Sequence, residues 1–211
     1  MNKELSAHEV AKWFIYNNRQ LANGYLDENV KLNKLLYFAN LMFFCVKKEL
    51  LLKDEFVAFR LGPVVYSIYK DYRYNGLDKI PNNDEIKGIS DEQKQFLNIV
   101  NFVYGNKDSK ELIDDSHSHN IWNAVKELIP NNPPIIFENI DDTTCEYFNN
   151  LYNVYKNFDF SNIKKEVING SVYFYNKNNI DIDDYINQLA VMPKSDEPKY
   201  IENIDGELVF S

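Results

Sequence analysis

"KLNKLLYFANLMFF", residues 31–44, carries apolar or aromatic side chains on nearly every side of a helical wheel. A surface helix shows one apolar stripe, whereas a helix that is apolar all round is buried in a fold or crosses a membrane. Crossing a membrane takes about 20 apolar residues, and lysines on both sides bracket a shorter run here. The sequence therefore predicts a buried central helix from about Val30 to Lys47 and no membrane span. We expect the following side chains to be buried: Leu35, Leu36, Phe38, Ala39, Met42 and Phe43.

The composition is that of a folded, acidic protein. The 211 residues include 32 Asp and Glu against 23 Lys and Arg, which gives a net charge of -9, and 15% are aromatic. Nucleic-acid binding depends largely on cations that displace counterions from phosphate, so this charge disfavours a nucleic-acid partner. A basic protein partner would complement the charge, although solubility explains it equally well.

Cysteine usage and the N-terminal sequence favour the cytoplasm. Cys45 lies inside the predicted central helix, and Cys145 lies far along the chain. A buried free thiol behaves as a small hydrophobic group, and reduced thiols are usual in the cytoplasm. The first residues lack the apolar core and cleavage site of a signal peptide. We therefore predict a cytoplasmic protein in which Cys45 is a free thiol.

Capping signals mark the starts of two further helices. Ser6 with Glu9, and Ser90 with Gln93, fit the capping box, in which side chain and backbone satisfy each other's unpaired donors. We predict that the first of these helices continues until Asn23-Gly24 stops it.

A short strand and a turn follow the central helix. "EFVAFRL", residues 55–61, alternates enough to predict a strand, and Gly62-Pro63 marks a turn after it. We expect Gly62 to turn the chain where a side chain would be costly. Pro63 fits the first position of the next helix, because its missing N–H would be unpaired there in any case. Apolar residues then recur at helical spacing as far as Tyr72.

The rest of the chain predicts more helices and a few strands. Helices are expected over residues 121–129 and 141–158, a strand over 170–176, and a terminal hairpin over 199–210. Asp205-Gly206 suits the type I′ turn of that hairpin. The fold class is therefore predicted as mainly α (α+β): a compact multi-helix domain around the central helix, with a short strand and a C-terminal β-hairpin.

Two histidines form the one cluster that metal chemistry could use. His117 and His119 follow Asp114 and Asp115, but zinc needs three or four ligands and His8 lies in the first predicted helix. We favour a structural role, in which a residue of this segment caps the next helix, over metal binding or partner contact. The sequence has no nucleophile elbow, Walker loop or dinucleotide fingerprint. We predict no enzymatic activity, no cofactor and no metal.

The turn and the helix after it carry the predicted partner contacts, namely Arg60, Tyr66, Lys70 and Tyr72. Arg and Tyr are enriched at interface hot spots, and a rigid turn lowers the ordering cost of binding. The alternative is that Tyr66 and Tyr72 simply pack on the central helix.

Three stretches, taken in order, resemble the Panacea antitoxin domain, a family shared by phage-associated proteins and Soc-type antitoxins. "SAHEVAKWFIYNN" leading into "KLNKLLYFAN" resembles its opening helices. "FVAFRLGPVVYSIYKDY" resembles its strand and Gly-Pro-Val turn, and "LIDDSHSHNIWNAVKE" resembles its Thr-His segment followed by a Trp. The resemblance spans roughly residues 5–130, and its motif residues are Lys34, Tyr37, Gly62, Pro63, His117 and Trp122.

The resemblance implies a mainly helical domain, here expected over residues 1–134. Residues 135–211 have no counterpart in the family, and we expect them to form an extension of a helix and short strands packed on that domain. It implies an antitoxin of a toxin–antitoxin system, which neutralises its cognate toxin by protein–protein interaction and has no chemistry of its own. Some relatives are similar to adaptors that deliver the bound toxin to a protease. The alternatives are a phage or mobile-element protein that inhibits or redirects a different host protein and, less favoured, a metal-dependent enzyme.

Overall fold

The computed structural model describes residues 3–82, 86–195 and 198–210 and confirms the α+β fold class. These residues form two compact units, one up to Lys156 and one from Asn157 onward. The helices are α1 Ala7–Asn17, α2 Leu26–Lys47, α3 Tyr66–Tyr74, α4 Asp91–Tyr104, α5 Ser109–Ser118, α6 Asn120–Asn123, α7 Asp142–Tyr155 and α8 Ile186–Ala190. The strands are β1 Phe56–Phe59, β2 Gly62–Val65, β3 Ile163–Ile168, β4 Ser171–Asn176, β5 Lys199–Ile204 and β6 Glu207–Phe210.

Helix α2 is the centre of the first unit, as predicted. It contacts α1, α3, α4, α5, α7 and β2. All six side chains expected to be buried are fully buried: Leu35, Leu36, Phe38, Ala39, Met42 and Phe43. The helix begins at Leu26, earlier than predicted, and Asp27 and Glu28 in its first turn suit the positive end of the helix dipole. No helix in the described part of the chain is long and apolar enough to cross a membrane.

Both predicted capping boxes are confirmed, at the starts of α1 and α4. The predicted end of the first helix is wrong, because α1 stops at Asn17 and the chain continues as a 3-10 helix over Arg19–Ala22. Asn18 leaves the helical conformation, and its side chain donates to the carbonyl of Gly105 at 3.0 Å. The helix therefore ends where Asn18 bonds to a residue distant in sequence.

The predicted position of Pro63 is wrong. Pro63 lies within β2, opposite Ala58 of β1, and α3 begins only at Tyr66. Proline is tolerated on an edge strand, and β1 and β2 form a two-stranded sheet. The other edge of β1 is covered by residues 133–135, where the Ala58 N–H donates to the Pro133 carbonyl at 2.8 Å.

The predicted helix over residues 121–129 is also largely wrong. α6 ends at Asn123, and a 3-10 helix follows over Lys126–Asn131. Pro130 lies inside that 3-10 helix. It has no N–H to donate to the carbonyl of Lys126, and its ring would crowd that carbonyl in an α-helix.

Helix α7 confirms the predicted helix over residues 141–158 and corrects the prediction of a free thiol. Cys45 of α2 and Cys145 of α7 form a disulfide, with Cα atoms 4.9 Å apart. The two cysteines lie 100 residues apart in the sequence, and they meet because α7 packs along α2. Disulfides are usual in oxidising compartments, so the cytoplasmic location stays a prediction.

The second unit is built on a four-stranded sheet with the order β3-β4-β5-β6. β4 and the β5–β6 hairpin confirm the strand and hairpin predicted there. Positive φ angles at Asp205 (53°) and Gly206 (91°) fit the predicted type I′ turn. The core of this unit contains Tyr173, Tyr175, Ile180, Ile182, Leu189 and Ile201. The domain boundary at residue 134 stays a prediction.

Candidate functional site

Several motif residues meet beneath the β1–β2 hairpin. The ammonium of Lys34, which is fully buried, donates to the Pro63 carbonyl at 3.1 Å. Gly62 has φ +97°, and a Cβ placed on it would lie 2.7 Å from Lys34 Nζ and 2.7 Å from Ser116 Oγ. Only glycine suits both the left-handed backbone and this close approach. A side chain at position 62 is therefore costly, as expected.

Two buried asparagines of α2 fix the hairpin and the helix that follows it. Asn33 Oδ1 accepts from the Val65 N–H at 3.1 Å, and its Nδ2 donates to the carbonyl of Asn29 at 3.0 Å. Asn29 Nδ2 donates in turn to the carbonyl of Tyr69 at 2.9 Å. Together with Lys34, these bonds hold β2 and α3 on the central helix from below.

Asn29 and Asn33 were not predicted from the sequence to hold the hairpin and α3 in place. A signal was present, because Asn29, Asn33 and Asn40 interrupt a helix whose other side chains are mostly apolar. Buried polar groups are nearly always hydrogen-bonded, so such residues indicate contacts to neighbouring backbone. Asn40 Oδ1 likewise accepts from the N–H groups of Leu51 and Leu52.

Burial lowers the pKa of two basic residues under the hairpin, Lys34 and His117. It lowers the pKa of Lys34 to about 7. Burial, and then the nearby charge of Lys34, lower the pKa of His117. The His117 ring stacks on Trp122 with centroids 3.7 Å apart, and Trp122 Nε1 donates to the Phe59 carbonyl at 3.3 Å. Lys34, His117 and Trp122 therefore support the hairpin through hydrogen bonds and ring stacking.

His119 contacts Tyr37 rather than capping a helix. His119 stands at the N-cap position of α6 without a side-chain capping bond, so the predicted capping role is wrong for its side chain. Its Nδ1 lies 2.9 Å from the Tyr37 hydroxyl. Burial lowers the pKa of His119 to about 4 and raises that of Tyr37, so both groups are neutral at pH 7.

The remaining histidine and the acidic residues give no metal cluster. His8 pairs with Asp71, its Nε2 lying 2.7 Å from the carboxylate. Within the described ranges, no three His, Cys, Asp or Glu side chains come together in a way that could hold a metal ion.

Three of the four predicted contact residues lie on the surface around the hairpin. Arg60, Tyr66 and Lys70 are exposed, with Tyr66 56% exposed. Tyr72 is only 2% exposed and donates its hydroxyl to the Leu21 carbonyl at 2.6 Å. Its prediction as a partner contact is wrong, because this tyrosine belongs to the core. We call the exposed surface of β1–β2 and α3 that includes Arg60, Tyr66 and Lys70 the hairpin face.

Aromatic rings continue the hairpin face along α3. The Phe59 ring lies 6.3 Å from Tyr66 and 5.4 Å from Tyr69, centroid to centroid. Tyr and Arg are enriched at interface hot spots, and Tyr66, Tyr69 and Arg60 bring both residue types to the hairpin face.

Residues 32–123 match a family described as "Antitoxin SocA-like, Panacea domain". The match covers α2, the hairpin, α3 and the segment with His117 and Trp122, which are the parts that build the site. The resemblance deduced from the motifs is thus confirmed over these residues. No curated protein and no solved structure matches the chain.

Proposed function

We propose that this protein is a non-enzymatic binding module, an antitoxin that neutralises a cognate toxin by direct contact through the hairpin face. The Panacea-domain match over residues 32–123 is the observation that carries the antitoxin role. The matched region builds the hairpin face and the polar network beneath it.

Rigidity supports the choice of the hairpin face as the binding surface. Three bonds hold its backbone to α2, from Lys34 to Pro63, from Val65 to Asn33 and from Asn29 to Tyr69. A surface that is already ordered loses little conformational freedom on binding, so more of the contact energy appears as affinity.

Exposed side chains on this backbone supply the contacts. Tyr66 offers a large ring with a polar hydroxyl, and Arg60 and Lys70 offer charge around it. Lys34 and His117 are instead buried against backbone and a ring. This arrangement supports binding at the hairpin face more than catalysis beneath it.

A paired substitution tests the proposal. Tyr66→Ala with Lys70→Glu should abolish toxin neutralisation in co-expression and complex formation in co-purification, while the melting temperature changes by only a few degrees. Exposed residues tolerate such changes with little loss of stability.

The matched control is Tyr147→Ala with Lys110→Glu, which makes the same two changes at exposed positions of α7 and α5. It should leave neutralisation intact. Continued neutralisation by the folded Tyr66 and Lys70 variant would place the contact surface elsewhere. A captured host protein that is not a toxin would instead favour the alternative of a phage or mobile-element inhibitor, and a co-purifying protease would indicate delivery for degradation.

A further inference from the structure

A cavity of about 250 Å³ opens beside the hairpin, between the N-terminal half of α2, the hairpin and α3. Its wall is mainly apolar and is formed by Leu26, Val30, Phe59, Leu61, Val64 and Tyr69. Leu26 and Leu61 are exposed apolar residues of this wall, at 60% and 41%. A cavity of roughly 150 Å³ already holds a benzene ring, so this one has room for a large side chain.

Among the residues that the structure describes, the charged ones that line the cavity are all basic. Arg60, Arg73 and the buried Lys34 contribute to its lining, and no carboxylate of the described ranges does. Arg73 lies beside aromatic groups of its own helix, with Nη1 3.5 Å from the Tyr69 hydroxyl and the guanidinium carbon 5.2 Å from the Tyr74 ring centre. Neither exposed arginine forms an ion pair with a residue that the structure describes.

This local charge is opposite to that of the whole chain, which is -9. An acidic segment is repelled by most of such a surface and attracted to its basic part, which directs it to one place. Arginine also binds a carboxylate through two parallel N–H bonds, which fixes orientation as well as adding energy.

We propose that the cavity receives one aromatic or large aliphatic side chain of a protein partner, and that acidic residues flanking this anchor bind Arg60 and Arg73. The inference rests on the proposed function, because the cavity adjoins the hairpin face, and it specifies the chemistry of the partner. The acidic composition of the whole chain suggested a basic partner, whereas the charge at the cavity selects an acidic segment.

Selection from a random peptide library on the immobilised full-length protein tests this inference. Enriched peptides should share an aromatic or large aliphatic residue flanked by Asp or Glu. Their binding should weaken at least about tenfold in the Arg60→Glu, Arg73→Glu variant, since the attraction becomes repulsion. It should also weaken as salt rises from about 0.1 M to about 0.5 M, because salt screens exposed charges.

Lys94→Glu with Lys110→Glu is the matched control, since it adds the same negative charge at a half-buried lysine of α4 and an exposed lysine of α5. This control should keep peptide binding within about twofold, because neither lysine is among the residues that line the cavity. If the arginine variant does not fold, Arg60→Gln with Arg73→Gln removes the two charges without reversing them and should also weaken peptide binding. The salt dependence of peptide binding is measured on the unchanged protein and does not depend on either variant.

Three results would overturn the inference: no enriched peptides, enriched peptides without acidic residues, or equal binding by the arginine variant. None of them decides the proposed function, which is read from neutralisation by the Tyr66 and Lys70 variant. A library that fails while that variant loses neutralisation rejects the cavity and keeps the hairpin face. If acidic peptides bind the cavity while the Tyr66 and Lys70 variant still neutralises the toxin, the hairpin face is not the toxin contact.

Discussion

Replacing Lys34 by Met should stabilise the protein at neutral and acidic pH, and the gain should shrink as the pH rises. Lys34 is fully buried, and the contact recorded for its ammonium is the Pro63 carbonyl at 3.1 Å. Met has a similar length, carries no charge and adapts to irregular space. The substitution therefore removes the cost of burying a charge and leaves the packing nearly unchanged.

The size of the effect follows from the pKa of Lys34. Burial lowers this pKa from 10.5 to about 7, and each pKa unit corresponds to about 1.4 kcal/mol. Folding with a protonated Lys34 thus costs roughly 5 kcal/mol. Losing the bond to the Pro63 carbonyl returns about 1 to 3 kcal/mol of that, so Lys34→Met should gain about 2 to 4 kcal/mol below pH 7.

The direction of the pH dependence follows from proton binding. Between about pH 7 and pH 10.5, the unfolded chain holds a proton on Lys34 that the folded chain lacks. The stability of the unchanged protein therefore rises with pH in this window. Below the window both states are protonated and the full cost is present. The advantage of Lys34→Met should decline by about 1.4 kcal/mol per pH unit above pH 7.

Urea denaturation of both proteins across this window measures the difference, because groups that titrate alike in both proteins cancel. Lys94→Met, at a half-buried position of α4 where the side chain reaches solvent, is the control and should show no such pH-dependent gain. If the stability difference between Lys34→Met and the unchanged protein varies by less than about 0.5 kcal/mol from pH 6 to pH 9, the reasoning is refuted. Lys34 would then keep its proton throughout, which means that water or an acidic group reaches it.

Four further outcomes are expected. Leu36→Ala should lower the free energy of unfolding by about 2 to 5 kcal/mol in denaturant melts, since Leu36 is fully buried; a loss under about 1 kcal/mol would contradict a central role for α2. Gly62→Ala should lower the melting temperature, because its Cβ would lie 2.7 Å from Lys34 Nζ, and an unchanged melting temperature would contradict the close approach. Thiol titration of unfolded protein should detect Cys45 and Cys145 only after reduction, and reduction should cost up to about 5 kcal/mol of stability for so long a loop; two free thiols before reduction would count against the disulfide. Elemental analysis of protein purified without an affinity tag should find no stoichiometric zinc, iron or manganese, and a full equivalent would overturn the prediction of no metal.

Elements with local signals could be predicted from the sequence. The run around Leu36 predicted a buried helix because its apolar residues cover every side of the helix. Ser6 and Ser90 marked helix starts because a cap bonds residues only three positions away. Asp205-Gly206 marked the terminal turn because both residues tolerate positive φ.

The sequence also identified most members of the candidate site without showing how they meet. Lys34, Gly62 and His117 were recognised as motif residues, yet only the fold shows the close approach of Lys34 to Gly62 and the nearness of its charge to His117. Asn29 and Asn33 escaped notice because their partners are backbone groups far along the chain.

The tertiary structure alone decided the features that depend on distant neighbours. Pro63 lies in a strand because Ala58 lies opposite it, and α1 ends at Asn17 because the next residue bonds to Gly105. Cys45 meets Cys145 because α7 packs along α2. Local patterns fix what a segment can form by itself, whereas burial and long-range hydrogen bonds select among those forms once the chain is compact.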